Sequence, residues 1–448
     1  MASILTDALP VLIDFAPVFT QPTFCRVQLL VVAAVLTTGR RTIANLLRTL
    51  GNLVPGQAST YHRVLSQARW SGLQLAARLL RLLLRHFGDG AIRLVGDDTV
   101  DEHRGKKVYG KARHRDAVRS SHSYTAFRYG HKWVVLAMLV TFPFARRPWA
   151  LPVLIALYHS PAENRRRGRP HKTPAELMQL LLRIVLRWLP DRRFVFAGDS
   201  GFGSHAMASF AHRHQDRLSL VSRFVADANL YDPPPLLVGK KPSGRPRQKG
   251  AKQPAPQAVA AAAPRQQLTV SWYGGGHRRV EVVSAIGHWY KAGQGLVAVR
   301  WVYVHDRTAT HRDDYLYSTD TTRTAQEIIE AYTGRWNIET TFQEARAYLG
   351  LETTRGWKRE TVLRAAPCLL GLYTLVSLWY WQLPASVKED WGVLWSGKEA
   401  MTFSDAITAV RRWLWSDWVF ATGGHDVAFA KLPNALQEVL LTALAPAA

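Results

Sequence analysis

Short, β-prone apolar runs alternate with stretches of helical period along the 448 residues, and their order carries information. Ile92 to Asp98 reads as a strand with carboxylates at its end, handing over to a polar segment rich in Gly and Lys. Trp133 to Phe142 and Ala150 to Tyr158 read as the second and third strands of a meander. A helix begins at Thr173, with Pro174 at its first position and Glu176 three residues after the cap, and ends near Pro190. Phe194 to Asp199 forms the next strand, followed by a helix from Ser204 to Arg213 and a strand from Leu218 to Val225. A last helix opens at Thr324, where Glu327 completes a Thr-x-x-Glu capping box, and is expected to run through Tyr332, Arg335, Glu339 and Arg346. The pattern predicts an α/β fold.

From Asp199 to Glu339 the chain advances 140 positions, more than one strand and a connection require, so a segment is inserted there. Its opening, Pro233 to Arg265, has the Pro-, Lys- and Ala-rich composition of a flexible linker. Leu268 to Val304 then shows β-prone segments separated by Gly-rich turns, predicting a small antiparallel insertion. At the amino end, residues 22 to 88 are helix-like. Thr42 to Leu50, a break, and Ser59 to Ala68 have helix-turn-helix spacing, which would turn Ser59, Thr60, His62 and Arg63 toward a groove; an ordinary helical hairpin fits equally. The expected organisation is a helical DNA-binding domain over 1–88, a first core part over 89–228, linker and β-rich insertion over 229–312, a second core part with the Glu helix over 313–390, and a helical region over 391–448.

Charge narrows the partner. Lys and Arg number 58 against 33 acidic residues, for a formal charge of +25, which favours polyanions; a ribosome-associated or simply Arg-rich protein would share it. Basic residues crowd His103 to Arg115, including Lys106, Lys107, Lys111 and Arg113, directly after Asp98. Arg165 to Lys172 and Pro242 to Lys249 each hold a Gly-Arg-Pro core, which fits an AT-hook entering a minor groove as well as a solvated basic loop.

Three negative findings bound the rest. Ala365 to Leu383 reaches the ~20 residues that cross a bilayer, but Pro367 and Gly371 interrupt it, and burial in the core is the favoured reading. Asp7 and Asp14 and the lack of a leading basic region argue against a signal peptide. Cys25 and Cys368 fit reduced, packed thiols in a cytoplasmic protein and exclude a Cys-rich zinc site, and the His residues show no ligand spacing. Trp379, Trp381, Trp391, Trp395, Trp413, Trp415 and Trp418 crowd the carboxyl end, as in a helical cap or dimer surface.

Against this basic background stand Asp98 and Asp199, each closing a strand, and Glu339 on the last helix. Tyr332, Arg335 and Arg346 lie at offsets of −7, −4 and +7 from Glu339, so at ~100° per residue all four share a face. Taken singly, each Asp could merely begin a turn, and Arg335 with Glu339 could be a solvated pair. Converging, the three carboxylates would form a cage of hard oxygen ligands for two divalent metals.

Asp-Asp98-Thr, Gly-Asp199-Ser-Gly-Phe and Tyr332-xx-Arg335-xxx-Glu339-xxxxxx-Arg346 together resemble the DDE transposases of bacterial insertion sequences, in the branch marked by a Tyr-Arg-Glu-Lys signature. The resemblance covers residues 90 to 350 and departs at Arg346, where the branch has Lys. It implies an RNase H-like core with catalytic and metal-binding roles for Asp98, Asp199 and Glu339, Asp98 being preferred to Asp97 because it directly precedes Thr. It further implies two Mg²⁺ ions, with Mn²⁺ as substitute, and phosphate contacts by Tyr332, Arg335 and Arg346. Trp272 and Trp289 of the insertion become candidates to stack an extruded base, or else pack within the sheet. The implied function is strand cleavage at element ends and transfer to target DNA. Partners would be double-stranded DNA with terminal inverted repeats and target DNA, handled by a homodimer at the bacterial nucleoid, without a membrane. A domesticated DNA-binding protein, or an RNase H-like nuclease without strand transfer, would share the same residues.

Overall fold

The computed structural model describes residues 10–116, 119–235, 247–385, 388 and 398–446. Helices α1 (Gln21–Leu36), α2 (Ile43–Leu50), α3 (Ala58–Ser66) and α4 (Gly72–Phe87) precede the sheet. Thr42 caps α2 by accepting from the Asn45 N–H, and Ser71 caps α4 by accepting from the Gln74 N–H. β1 (Ile92–Glu102), β2 (Ala112–Arg115), β3 (Phe127–Val140) and β4 (Trp149–Tyr158) follow, then α5 (Pro174–Trp188), β5 (Phe194–Gly198), α6 (His205–His212) and β6 (Leu218–Arg223). Across the core the strand order is β4-β3-β1-β5-β6: β3 runs antiparallel to β1 and β4, while β5 and β6 run parallel to β1. That is the arrangement of an RNase H-like core. Trp133 to Val140 is buried on both faces, as expected of a strand covered by helices on either side.

Five further strands widen this core. β7 (Leu230–Tyr231), β8 (Gln266–Ser271), β9 (His277–Lys291), β10 (Gly295–Asp306) and β11 (Asp314–Ser318) join it through the antiparallel pairing of β11 with β6, giving one 11-stranded sheet. The insertion is thus continuous with the core sheet. Its expected flexible opening is partly ordered: Pro256–Ala262 is helical, and Lys249 sits 3.8 Å from the Tyr231 ring centroid and 4.2 Å from that of Tyr290. Cation–π contact and the Pro at the helix start supply order that composition did not reveal. Pro242 to Pro246 lie outside the described residues, as do Asp7, Trp391 and Trp395.

The last helix differs from expectation in one respect. Its capping box forms as read, Thr324 and Glu327 exchanging side chain and backbone bonds, but the helix is interrupted at Trp336 into α7 (Ala325–Arg335) and α8 (Asn337–Leu349). Gly350, at φ 62°, closes α8 in the left-handed conformation that a glycine adopts without strain.

The apolar run at Ala365 to Leu383 falls inside α9 (Arg359–Gln382), long and apolar enough by composition to cross a membrane, yet packed against β4, α8 and α3. Thr374 on it donates to the Pro152 carbonyl of β4 at 2.9 Å. Trp379 and Trp418 are buried in this region, Trp418 after α10 (Phe403–Trp413), so the aromatic crowding serves a helical cap over α9.

Candidate carboxylate site

β1 does not stop at its carboxylates: it pairs with β3 as far as Glu102 opposite Gly130. On its other side the parallel pairing with β5 ends at Gly96 opposite Gly198, one residue before Asp97 and Asp199. The two strands therefore part where these carboxylates begin, which is where a site opens in sheets of this kind. Gly96 is required by closeness, since a Cβ there would come within 2.5 Å of Met178 Cε and 2.6 Å of the Phe196 ring.

Asp199 caps the turn that follows β5, its Oδ1 accepting from the Gly201 N–H at 2.9 Å and the Phe202 N–H at 3.2 Å. Ser222 of β6 donates to the Gly198 and Asp199 carbonyls at 2.9 and 2.8 Å, holding the turn against the sheet. Asp97 and Asp98 alternate across the strand and so face opposite sides of the sheet. Asp98 pairs with Lys132 Nζ at 2.9 Å. Asp97 accepts from Arg335 at 2.8 Å, and the same guanidinium donates to Glu339 at 3.1 Å. Geometry therefore puts Asp97, which motif reading placed second to Asp98, on the face that α7 and α8 cover.

The electrostatics show a site short of positive charge. Burial pushes Asp97 up to about 7, against the pull of Arg335 and with a further push from Asp199 and Asp98. Asp98 and Glu339 are also raised, by burial first and by Asp199 in addition, with Lys132 and Arg335 respectively opposing. Asp199 thus acts on all three and lies central to them. Burial lowers Arg335, but Asp97, Tyr332, Glu339 and Asp199 outweigh it and hold the guanidinium above its usual range. Four carboxylates face two cations, leaving a formal excess of two negative charges in a half-buried setting. Hard anionic oxygens with uncompensated charge are the donor set that divalent cations of the Mg²⁺ or Mn²⁺ kind fit.

The remaining expected residues divide. Tyr332 is buried beside Arg335, its ring 5.7 Å from that guanidinium. Arg346 donates to Thr99 Oγ1, to the Val100 carbonyl at 3.2 Å and to Glu352 at 2.8 Å, bracing α8 on β1. Lys106 and Lys107 are exposed; Lys111 donates to the Gly105 carbonyl at 2.8 Å, and Arg113 lies 3.4 Å over Phe127. Arg165 and Arg166 end a short helix, Pro161–Arg166, and are not extended; Arg167 donates to Tyr109 Oη at 2.6 Å, joining this segment to the first basic loop. Ser59, His62 and Arg63 are exposed on α3, and Thr60 is half-buried. Trp289 packs on His205, Phe224 and Tyr317 inside the sheet.

Trp272 belongs to an aromatic group that sequence reading did not assemble. Its ring meets Tyr273 and His311, and Tyr273 in turn meets Trp336, which is 47% exposed at the break between α7 and α8. The exposed aromatic beside Arg335 and Glu339 is therefore Trp336, and its place next to the signature was the available signal. The register also gathers Asp101, His103 and His131, whose ligand atoms all lie within 4.8 Å of one another, a grouping that linear spacing had not suggested. A separate cavity of about 900 Å³ among α1, α3, α4 and α9 is lined by side chains such as Phe24, Trp70 and Leu372 with no acidic residue, so it is not a part of this site.

Comparison with known families gives two matches. Residues 14–279 match the family described as DDE superfamily endonuclease. Residues 294–372 match a family of archaeal transposases of the ISC1217 type. No curated protein matches the chain. A piggyBac transposase, solved by cryo-EM as a synaptic complex with hairpin DNA, aligns over 100% of this chain and 83% of its own, with 10% identity and a TM-score of 0.41, a likeness too loose to carry an argument.

Proposed function

The chain belongs to the DDE superfamily of endonucleases and is a DNA transposase, and we propose that it cuts DNA at the ends of its own element and joins those ends to a target. The observation that carries this reading is the grouping of Asp97, Asp199 and Glu339 at the point where β1 and β5 part, with Asp98 next to them across the strand, in a protein of formal charge +25.

Asp97, Asp199 and Glu339, on the face that α7 and α8 cover, would hold two Mg²⁺ ions, or Mn²⁺ in their place, while the expected Asp98 lies across the strand, paired with Lys132. The ions supply charge neutralisation at the scissile phosphate and make an attacking oxygen more acidic. Arg335 holds Asp97 and Glu339 in fixed positions before substrate arrives, so little reorganisation remains for the reaction. Arg335 and the phenol of Tyr332 would meet the phosphate beside the cut, and Arg346 keeps α8 seated on β1. Lys106 and Lys107 would contact the flanking backbone, which predicts binding that weakens as salt rises. Trp336, rather than Trp272 or Trp289, presents the exposed ring on which a base freed from its stack could rest.

Double-stranded DNA bearing terminal repeats and target DNA are the substrates, and bringing two ends together calls for two copies of the chain. The site of action is the cytoplasm, at the nucleoid. Strand transfer separates this reading from a nuclease: with pre-cut element ends, Mg²⁺ and a supercoiled plasmid, the protein should yield ends covalently joined to plasmid. Hydrolysis alone, with no joined product in Mg²⁺ or Mn²⁺, would leave a nuclease.

A further inference from the structure

A second polar cluster lies beyond the carboxylate site, on the part of β1 that runs past Asp98. Asp101 stands directly opposite His131 in the β1–β3 register, and His103 follows Asp101 by two residues, so all three side chains point to one face of the sheet. They are buried: Asp101 is 0%, His131 1% and His103 8% exposed. His103 Nε2 lies 3.2 Å from Asp101 Oδ2. His131 Nε2 lies 2.8 Å from the Tyr109 carbonyl, which can only accept, so the proton sits on Nε2 and the lone pair on Nδ1. That Nδ1 has no hydrogen-bond partner, and the second oxygen of Asp101 has none of good geometry, the Trp133 indole being the side-chain donor that bears on this carboxylate.

Buried polar atoms without partners are rare and costly, at ~1–3 kcal/mol each. The narrow cleft they share, bounded by Thr354, Gly356, Thr361 and Val362, has no room for a water molecule. A bare cation is smaller. We propose that Asp101 through both carboxylate oxygens, with His103 and His131, binds one borderline divalent transition-metal ion, zinc by the donor set, as a four-donor structural centre separate from the catalytic carboxylates.

Two imidazoles and one carboxylate suit zinc better than magnesium, which prefers oxygen. Metal bonds of ~2.0–2.2 Å set tetrahedral ligand atoms about 3.3 Å apart, and the His103–Asp101 pair already stands at 3.2 Å. His131, within 4.8 Å of both, needs only a small approach. Its Nε2–H donated to a backbone carbonyl is the supporting bond that fixes the tautomer of a ligating histidine. Through that bond the centre would also anchor Tyr109, whose own N–H donates to the Trp357 carbonyl at 3.0 Å. It would thereby fix the basic loop that carries Lys106 and Lys107.

The test uses the full chain with Asp199→Asn and Glu339→Gln, which silences the carboxylate site. After stripping with a chelator, titration with Co²⁺ should give one equivalent bound with the intense visible absorption of a tetrahedral ion, displaced by Zn²⁺ and not by Mg²⁺. His131→Ala and His103→Ala should each weaken binding by more than the ~10–100-fold cost of losing a supporting contact, with circular dichroism confirming that the fold persists. No tetrahedral cobalt signal in the folded, silenced chain would overturn the proposal. So would an unchanged signal in His103→Ala, which remains informative if His131→Ala fails to fold.

Discussion

Arg335→Ala probes the arrangement at its centre, because one buried guanidinium, 7% exposed in its side chain, binds both Asp97 and Glu339. Even with Arg335 in place, burial holds Asp97 at about 7, well above its ordinary value. Removing the cation raises that value further. A carboxyl whose folded pKa lies above its unfolded one stabilises the fold at low pH and loses that contribution as pH rises through the folded pKa. At pH 8 the variant must either ionise Asp97 without a partner beside Asp199 or hold its proton far above the unfolded pKa, and the loss should reach the ~3–5 kcal/mol of a broken buried pair. At pH 5 Asp97 carries its proton, and the loss should fall to the ~1–3 kcal/mol of a missing buried hydrogen bond. Urea unfolding at both pH values, with and without millimolar Mg²⁺, reads this directly, and Mg²⁺ should recover part of the loss at pH 8 only. An equal loss at both pH values, or a larger one at pH 5, would refute the assignment of excess negative charge to this site.

Other consequences can be checked singly. Lys106→Ala with Lys107→Ala should flatten the plot of log binding constant against log salt by about 1.8, at ~0.9 per phosphate contact; an unchanged slope would remove both from the DNA path. Gly96→Ala should cost ~1–3 kcal/mol through overpacking, since its Cβ would enter the Phe196 ring; thermal unfolding at the parental temperature would contradict the packing described. Trp336→Ala should leave stability within about 0.5 kcal/mol, as an exposed position, yet weaken binding to DNA with an unpaired end by ~1–3 kcal/mol; equal affinity for the variant would rule out stacking there.

Much of the core was legible because its signals are local. The capping boxes at Thr173 and Thr324 formed as read, since a hydroxyl and a carboxyl three residues apart reach each other whatever packs around them. β3 and β4 were plain from unbroken apolar runs. What escaped depends on register or on contacts between distant segments. The end of β1 was placed at its carboxylates, because the mostly polar stretch Thr99 to Glu102 hides a strand held by pairing with β3. The Asp97–Arg335 bond spans 238 positions, and only strand alternation decides which of two adjacent carboxylates makes it. Asp101 and His131 are neighbours only across the ladder, so no spacing along the chain could reveal them. Arg346 stands where the resembling branch has Lys, and its fork-shaped contacts to β1 and Glu352 show a use for that exchange.

The central claim is that these carboxylates cut DNA with a divalent metal. The direct measurement incubates the purified chain and its Glu339→Gln variant with Mg²⁺ and DNA carrying the sequences that flank its own gene, and maps breaks on a denaturing gel. Breaks at the element boundary that vanish with chelator and in Glu339→Gln, while binding of the same DNA persists, are the predicted result; boundary breaks made equally by the Gln variant would contradict it.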